Sequence, residues 1–196
     1  MSARLPASER RHQLLDVALA VFAEHGFHGT SMNQVAKAAA GVTKPVPAQH
    51  VRSTNALYRE LLGDVSAGLE EAITKATAAA PGPRQQVEAG LHAYFRYVTD
   101  NRDAFTVLFG GGTRRDGEFA EAAHRVEDAI VEAIAPLFSV PGLSEGDRRL
   151  LAHGIVGLTE GTSRHWIANG YEPGPDVLAD RVADLAWAGL RGVRSG

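Results

Sequence analysis

Residues 13–62 read QLLDVALAVFAEHGFHGTSMNQVAKAAAGVTKPVPAQHVRSTNALYRELL, and the order of apolar, glycine and capping residues in this stretch decides the fold. Leu14, Leu15, Ala18, Val21 and Phe22 recur at helical spacing, which predicts a helix from Ser8 to about His25 with one apolar face. Gly26 tolerates the left-handed conformation that ends a helix, and Phe27 follows where a hydrophobic contact folds back on the helix end. Thr30 or Ser31 caps a second, short helix through Ala38 that buries Val35 and Ala36. In Ala40-Gly41-Val42-Thr43 the glycine permits a tight turn and Thr43 caps a third helix. A short helix, a glycine turn and another short helix make the unit that lays a helix in the major groove of DNA.

Beyond this stretch the period stays helical. Asn55 to about Ala80 is expected to form one long helix (Leu57, Leu61, Leu62, Val65, Leu69, Ile73), stopped by Pro81-Gly82-Pro83. Further helices are expected at about Gln85–Thr99, Arg102–Phe109, Gly117–Phe138, Glu145–Asn169 and Pro175–Gly192. Glycine and proline punctuate the gaps at Gly110-Gly111-Gly112, Val140-Pro141-Gly142 and Tyr171-Glu172-Pro173-Gly174, and alternating strand patterns are absent. The fold class is therefore all-α: a three-helix unit with a helix-turn-helix over residues 8–54, then a larger helical domain over residues 55–196.

Composition narrows the class of function. At 196 residues and 44% hydrophobic, the chain buries a sizeable core. Cysteine is absent, which excludes disulfides, thiolate nucleophiles and cysteine-ligated zinc. The stretch up to Leu14 is polar and charged, and no apolar run approaches the ~20 residues of a membrane span, so a soluble cytoplasmic protein without membrane attachment is expected. Residues 1–55 carry six Lys/Arg against three acids, a balance of +3, while the remainder carries 14 against 20, a balance of -6. The asymmetry fits an N-terminal polyanion-binding part and an acidic body.

The eight histidines form no compact ligand set: His153, Glu160 and His165 are too dispersed along one helix, so no metal and no cofactor is expected. Ser163, His165 and Glu160 lie on different sides of that helix, and no nucleophile elbow or phosphate loop occurs, so no catalytic residues are expected. Tyr94, Phe95, Phe105, Phe109, Phe119, His124, Glu127 and Trp166 together fit an apolar pocket with a few polar groups, the usual form of a small-molecule site, although each alone is as readily core or surface.

Leu15, Ala18, Phe22, Gly26-Phe27, Thr30-Ser31, Val35-Ala36, Ala40-Gly41-Val42-Thr43-Lys44 and Ala56-Leu57-Tyr58 resemble the N-terminal signature of the TetR family of transcriptional regulators. The resemblance spans about Gln13 to Leu62, and Trp166 near the end of the penultimate helix is a further shared feature. It implies a repressor that holds a palindromic double-stranded DNA operator as a homodimer and is released by a small-molecule effector, with residues 8–54 as the DNA-binding domain and residues 55–196 as the ligand-binding and dimerisation domain. It also implies that Thr30, Ser31, Thr43, Lys44, Pro45, Gln49, His50 and Arg52 form the DNA-facing set, with charged groups on phosphates and Gln49 near base edges. The last two helices, with Leu150, Leu151, Ile155 and Leu158 on one and Val177, Leu178, Val182, Leu185 and Leu190 on the other, would form the dimer interface, where Gly154, Gly157 and Gly161 allow close approach.

The recognition helix departs from the family pattern. Pro47 stands where a leucine is usual, Ala48 replaces an aromatic hydroxyl, and Val51 replaces a larger anchor, while His50 and Ser53 match. A proline past the first turn costs a helix up to ~3 kcal/mol and biases Val46 away from helical angles. Adaptation, decay of DNA binding and a local sequence error are all consistent with this cluster. Loss of specific DNA binding would leave a helical ligand-binding or interaction protein on the same scaffold.

Overall fold

The computed structural model describes residues 7–40, 53–109 and 117–193. Among them the regular structure is helical: α1 (Ala7–His25), α2 (Met32–Ala40), α3 (Thr54–Ala78), α4 (Pro83–Asp100), α5 (Arg102–Phe109), α6 (Gly117–Ile134), α7 (Glu145–Ala168) and α8 (Pro175–Leu190). The expected spans that fall on described residues agree with these within a few residues at each end, and the third helix expected after Thr43 lies outside the described residues. The exception is the helix expected to run on to Phe138. It stops at Ile134 and tightens into a 3-10 turn over Ala135–Leu137, because Pro136 has no N–H to continue the α-helical ladder. No helix among the described residues is long and apolar enough to cross a membrane.

The chain divides into two compact units. The first comprises residues 1–65 and 103–123, the second residues 66–102 and 124–196. In the first unit Leu14, Leu15, Ala18, Val21 and Phe22 of α1 are buried together with Val35 and Ala39 of α2 and Leu57, Tyr58, Leu61 and Leu62 of α3. Its centre is aromatic. Tyr58 meets Phe22 edge-on at 5.1 Å and Phe27 at 5.0 Å, a geometry that adds to simple area burial. Gly26, at φ 70°, ends α1 with its N–H on the Phe22 carbonyl, and this reversal brings Phe27 back against the cluster.

In the second unit the most extensive helix pairing is between α4 and α8. They run antiparallel: Arg84 near the start of α4 reaches Asp184 at 3.3 Å, and Arg96 near its end reaches Asp176 at 2.9 Å. Between these, His92 places Nε2 at 2.9 Å from Asp180 and Nδ1 at 3.4 Å from Asp176. Arg84, Glu88, His92 and Arg96 thus form a stripe at four-residue spacing that faces an acidic stripe of Asp176, Asp180 and Asp184. Beneath the ladder, Leu91, Phe95 and Val98 are buried, as are Leu178, Ala179, Val182, Ala183 and Ala186, whose small members let the helix axes approach. At the start of α7, Ser144 and Asp147 complete a capping box.

Two outcomes are expected from this architecture. Phe22, 1% exposed, should cost about 3–5 kcal/mol on replacement by alanine, read from chemical denaturation. The Arg96 guanidinium, aided by His92, holds the Asp176 carboxyl below its ordinary value of 3.8. Its contribution is therefore complete above that value and is lost as pH falls through the lower folded-state value. Asp176→Asn should be slightly less stable than wild type at neutral pH, with the two melting curves converging in strong acid.

Candidate functional site

Two regions bear on function. In the first unit, Ser31 caps α2: Ser31 Oγ accepts from the Gln34 N–H at 3.3 Å and the Ser31 N–H donates to Gln34 Oε1 at 2.8 Å. Ser31 is exposed, whereas Thr30 is buried, its hydroxyl donating to the Gly26 carbonyl at 2.8 Å. Thr30 thus ties the end of α1 to the start of α2, and Ser31 is the outward member of the pair. Thr43, Lys44, Pro45, Gln49, His50 and Arg52, together with Pro47 and Ala48, lie outside the described residues.

The second region is a cavity of about 370 Å³ within the second unit. Its walls are mainly aliphatic: Ile73 of α3, Val87 and Leu91 of α4, Ile130 and Ile134 of α6, Leu137 and Val140 of the following turn with the aromatic Phe138 between them, Leu151, Ile155 and Val156 of α7, and Leu190 of α8. This volume falls in the range of ligand sites, roughly 300–1,000 Å³. Thr77 and Thr159 belong to the lining, but their hydroxyls donate to backbone carbonyls of their own helices at 2.9 Å (Ile73) and 2.8 Å (Val156). Tyr94 also lines it; Ser163 Oγ donates to the Tyr94 hydroxyl at 3.2 Å, and burial pushes the phenol up to about 12, so it stays neutral.

Of the aromatic and polar residues expected to form a pocket, Tyr94 lines this cavity. Phe95 and Trp166 instead pack against each other edge-on at 5.8 Å in the core. Trp166 holds the backbone in place, since its indole N–H donates to the Pro173 carbonyl at 2.7 Å and its ring meets Tyr171, which fastens the turn between α7 and α8. Phe105 is buried in the first unit. Phe109 ends α5, and Phe119 lies in the first turn of α6. His124 and Glu127 sit together on the surface of α6 at 3.4 Å. The aliphatic lining was missed, since nothing in one helix marks a leucine that faces a void. Among the interface candidates, Leu178 and Val182 are buried within the unit and Leu151, Ile155 and Leu190 line the cavity. Leu150, Val177 and Leu185 remain outside, at 70%, 47% and 62% exposure. A methyl group added at Gly154, Gly157 or Gly161 would meet nothing within 4 Å.

Comparison with known proteins places this geometry. Residues 14–61 match the family described as bacterial regulatory proteins, tetR family, and residues 83–189, more than half of the chain, match the tetracyclin repressor-like C-terminal domain. The chain belongs to the TetR family and is a transcriptional regulator, not an enzyme. It is 29% identical over 188 residues to the HTH-type transcriptional activator FasR of Mycolicibacterium smegmatis, covering 95% of this chain and 85% of the relative. A TetR-like transcriptional regulator from Rhodococcus sp. RHA1 superposes with a TM-score of 0.76 at 29% identity, over 97% of this chain and 100% of that one. FadR from Bacillus subtilis, solved in complex with stearoyl-CoA, has the same fold with a TM-score of 0.77 at 16% identity, over 93% and 99% of the two chains.

If the cavity is a ligand site, filling it should abolish binding. Ile155→Trp should remove any thermal shift that 1-dodecanol gives wild type, while costing no more than the ~1–3 kcal/mol of an overpacked core. A shift that survives would place the alcohol elsewhere.

Proposed function

We propose that this regulator is ligand-responsive: a two-fold dimer binds a palindromic operator through the segment 8–54 and is released when a small apolar molecule fills the cavity within residues 55–196. The aliphatic cavity carries this reading. It lies in the part of the chain that matches the family's C-terminal domain, and a protein of the same fold holds stearoyl-CoA. The two helices α3 and α6 contribute lining residues and also contribute residues to the first unit. A ligand that displaces Ile73 or Ile130 therefore acts on helices continuous with the first unit. By linkage, a hundredfold loss of operator affinity on ligand binding requires that the ligand bind the DNA-free form a hundredfold more tightly.

The exposed Leu150, Val177 and Leu185, together with the open Gly154, Gly157 and Gly161 of α7, support a self-complementary face for a second copy. In the operator complex Thr43, Lys44, His50 and Arg52 contact phosphates and Gln49 approaches base edges, with Thr30, Ser31 and Pro45 shaping the helix starts around them. We take repression as the default outcome of operator occupancy. The name of the mycobacterial relative favours a second reading, activation, and the position of the operator relative to the promoter separates the two. Pro47 and Ala48 favour weakened sequence discrimination over loss of all DNA binding, because Lys44, His50 and Arg52 remain for the backbone.

Gel-shift titration on DNA flanking the protein's own gene tests the reading. A specific complex, lost with an apolar ligand that gives a thermal shift, is the expected result; no complex at low salt overturns it. Pro47→Leu with Ala48→Tyr should widen the gap between operator and random DNA by roughly tenfold, the worth of one base contact. Leu185→Glu should convert a sedimenting dimer to monomer at micromolar concentration.

A further inference from the structure

The polar groups that line the cavity differ between its two ends. Its α4 wall is a single helix face, Pro83, Gln86, Val87, Gly90, Leu91 and Tyr94, and these 11 residue steps at 1.5 Å each make a slot about 16 Å long. At the Tyr94 end the polar groups have partners within the protein. Ser163 donates to the phenol, and the Thr159 hydroxyl turns back to its own helix. The other end is different. Because α8 runs antiparallel to α4, with Arg84 against Asp184, the residues after Asp184 pass the start of α4. Two of them, Trp187 and Arg191, lie one helical turn apart and join Gln86 in the lining. Among the described residues that line the cavity, Arg191 is the one that carries a charge. It is exposed, and no carboxylate of the described residues takes up its pairing capacity. A guanidinium presents a rigid fork of donors suited to a carboxylate or phosphate, and an indole N–H and an amide extend that donor set.

We propose that Arg191, with Gln86 and Trp187 beside it, holds the anionic head of a straight-chain amphiphile whose saturated tail lies along α4 and ends at Tyr94. With single bonds of about 1.5 Å in a zigzag, the slot accepts roughly a dozen carbons. Gly90 is where α4 packs closely on α3 along this slot: a methyl added there would lie 3.2 Å from Thr77 Cγ2, and Gly90 and Thr77 both line the cavity, so a larger residue narrows the slot at that point. The assignment rests on the cavity being the effector site, and it adds the charge, the polarity of insertion and the length of the ligand.

The test measures binding of octanoate, decanoate, dodecanoate, tetradecanoate, 1-dodecanol and dodecanoyl-coenzyme A to wild type, Arg191→Gln and Gly90→Leu by calorimetry. Dodecanoate should lose about tenfold or more in affinity with Arg191→Gln, as for a charge-assisted bond, while 1-dodecanol changes little. Affinity should rise about fourfold per methylene up to roughly twelve carbons and then level off. Gly90→Leu should move that plateau to shorter chains, with the Arg191 effect retained on octanoate. The thioester arm separates sources: the free acid is the ligand if it binds more tightly, the conjugate if its phosphates respond to Arg191→Gln. Equal losses for dodecanoate and dodecanol, or none for either anion, overturn the Arg191 assignment while leaving the cavity as the effector site. Binding of none of these probes, with binding of another apolar molecule that Ile155→Trp abolishes, overturns the amphiphile alone.

Discussion

The antiparallel contact between α4 and α8 fixes one wall of the cavity, and charge as well as packing sets its register. It joins residues 80 to 100 positions apart in sequence, a non-local contact that carries a high loop-closure entropy. Apolar burial supplies the attraction, through Leu91, Phe95 and Val98 against the alanine-rich face of α8. Burial alone tolerates sliding. The ladder does not: a shift of one turn leaves an arginine or an aspartate at one end without its opposite. Exposed ion pairs contribute little energy individually, and their value here is alignment. That alignment decides which residues of α8 pass the start of α4, and hence which donors stand at the mouth of the cavity.

Most of the helix boundaries were legible because they are written in local chemistry. Arg102–Phe109 is recovered to the residue, and the stop after α1 follows from one glycine. The α6 boundary was overrun because hydrophobic periodicity continues through Leu137 and Phe138, and a pattern of apolar positions does not register the missing N–H of Pro136. The ladder was legible and was overlooked: four-residue spacing of Arg84, Glu88, His92 and Arg96 against Asp176, Asp180 and Asp184 is the signature of two facing charged stripes.

The cavity was much less legible. Aromatic residues draw attention as pocket formers, yet Phe95 and Trp166 are large enough to fill the space they occupy and to fasten a turn. A void arises where aliphatic side chains from five helices stop short of one another, a property of their joint packing that no single segment carries. Tyr94 is common to both descriptions because it is buried against Phe95 and also lines the space.

Gly68 gives the long helix α3 a mechanical character. A Cβ at this position would lie 2.4 Å from the Tyr97 hydroxyl, so α3 receives the end of this α4 side chain in a notch at Gly68, and a larger residue there makes the phenol turn aside. Advance or retreat of α3 by one turn would bring the side chain of Asp64 or Ala72 to the same phenol. The notch is therefore a register mark: a slide of α3 by one turn sets a side chain against the Tyr97 phenol, which must then turn aside, and the same helix carries Ile73 and Thr77 of the cavity wall.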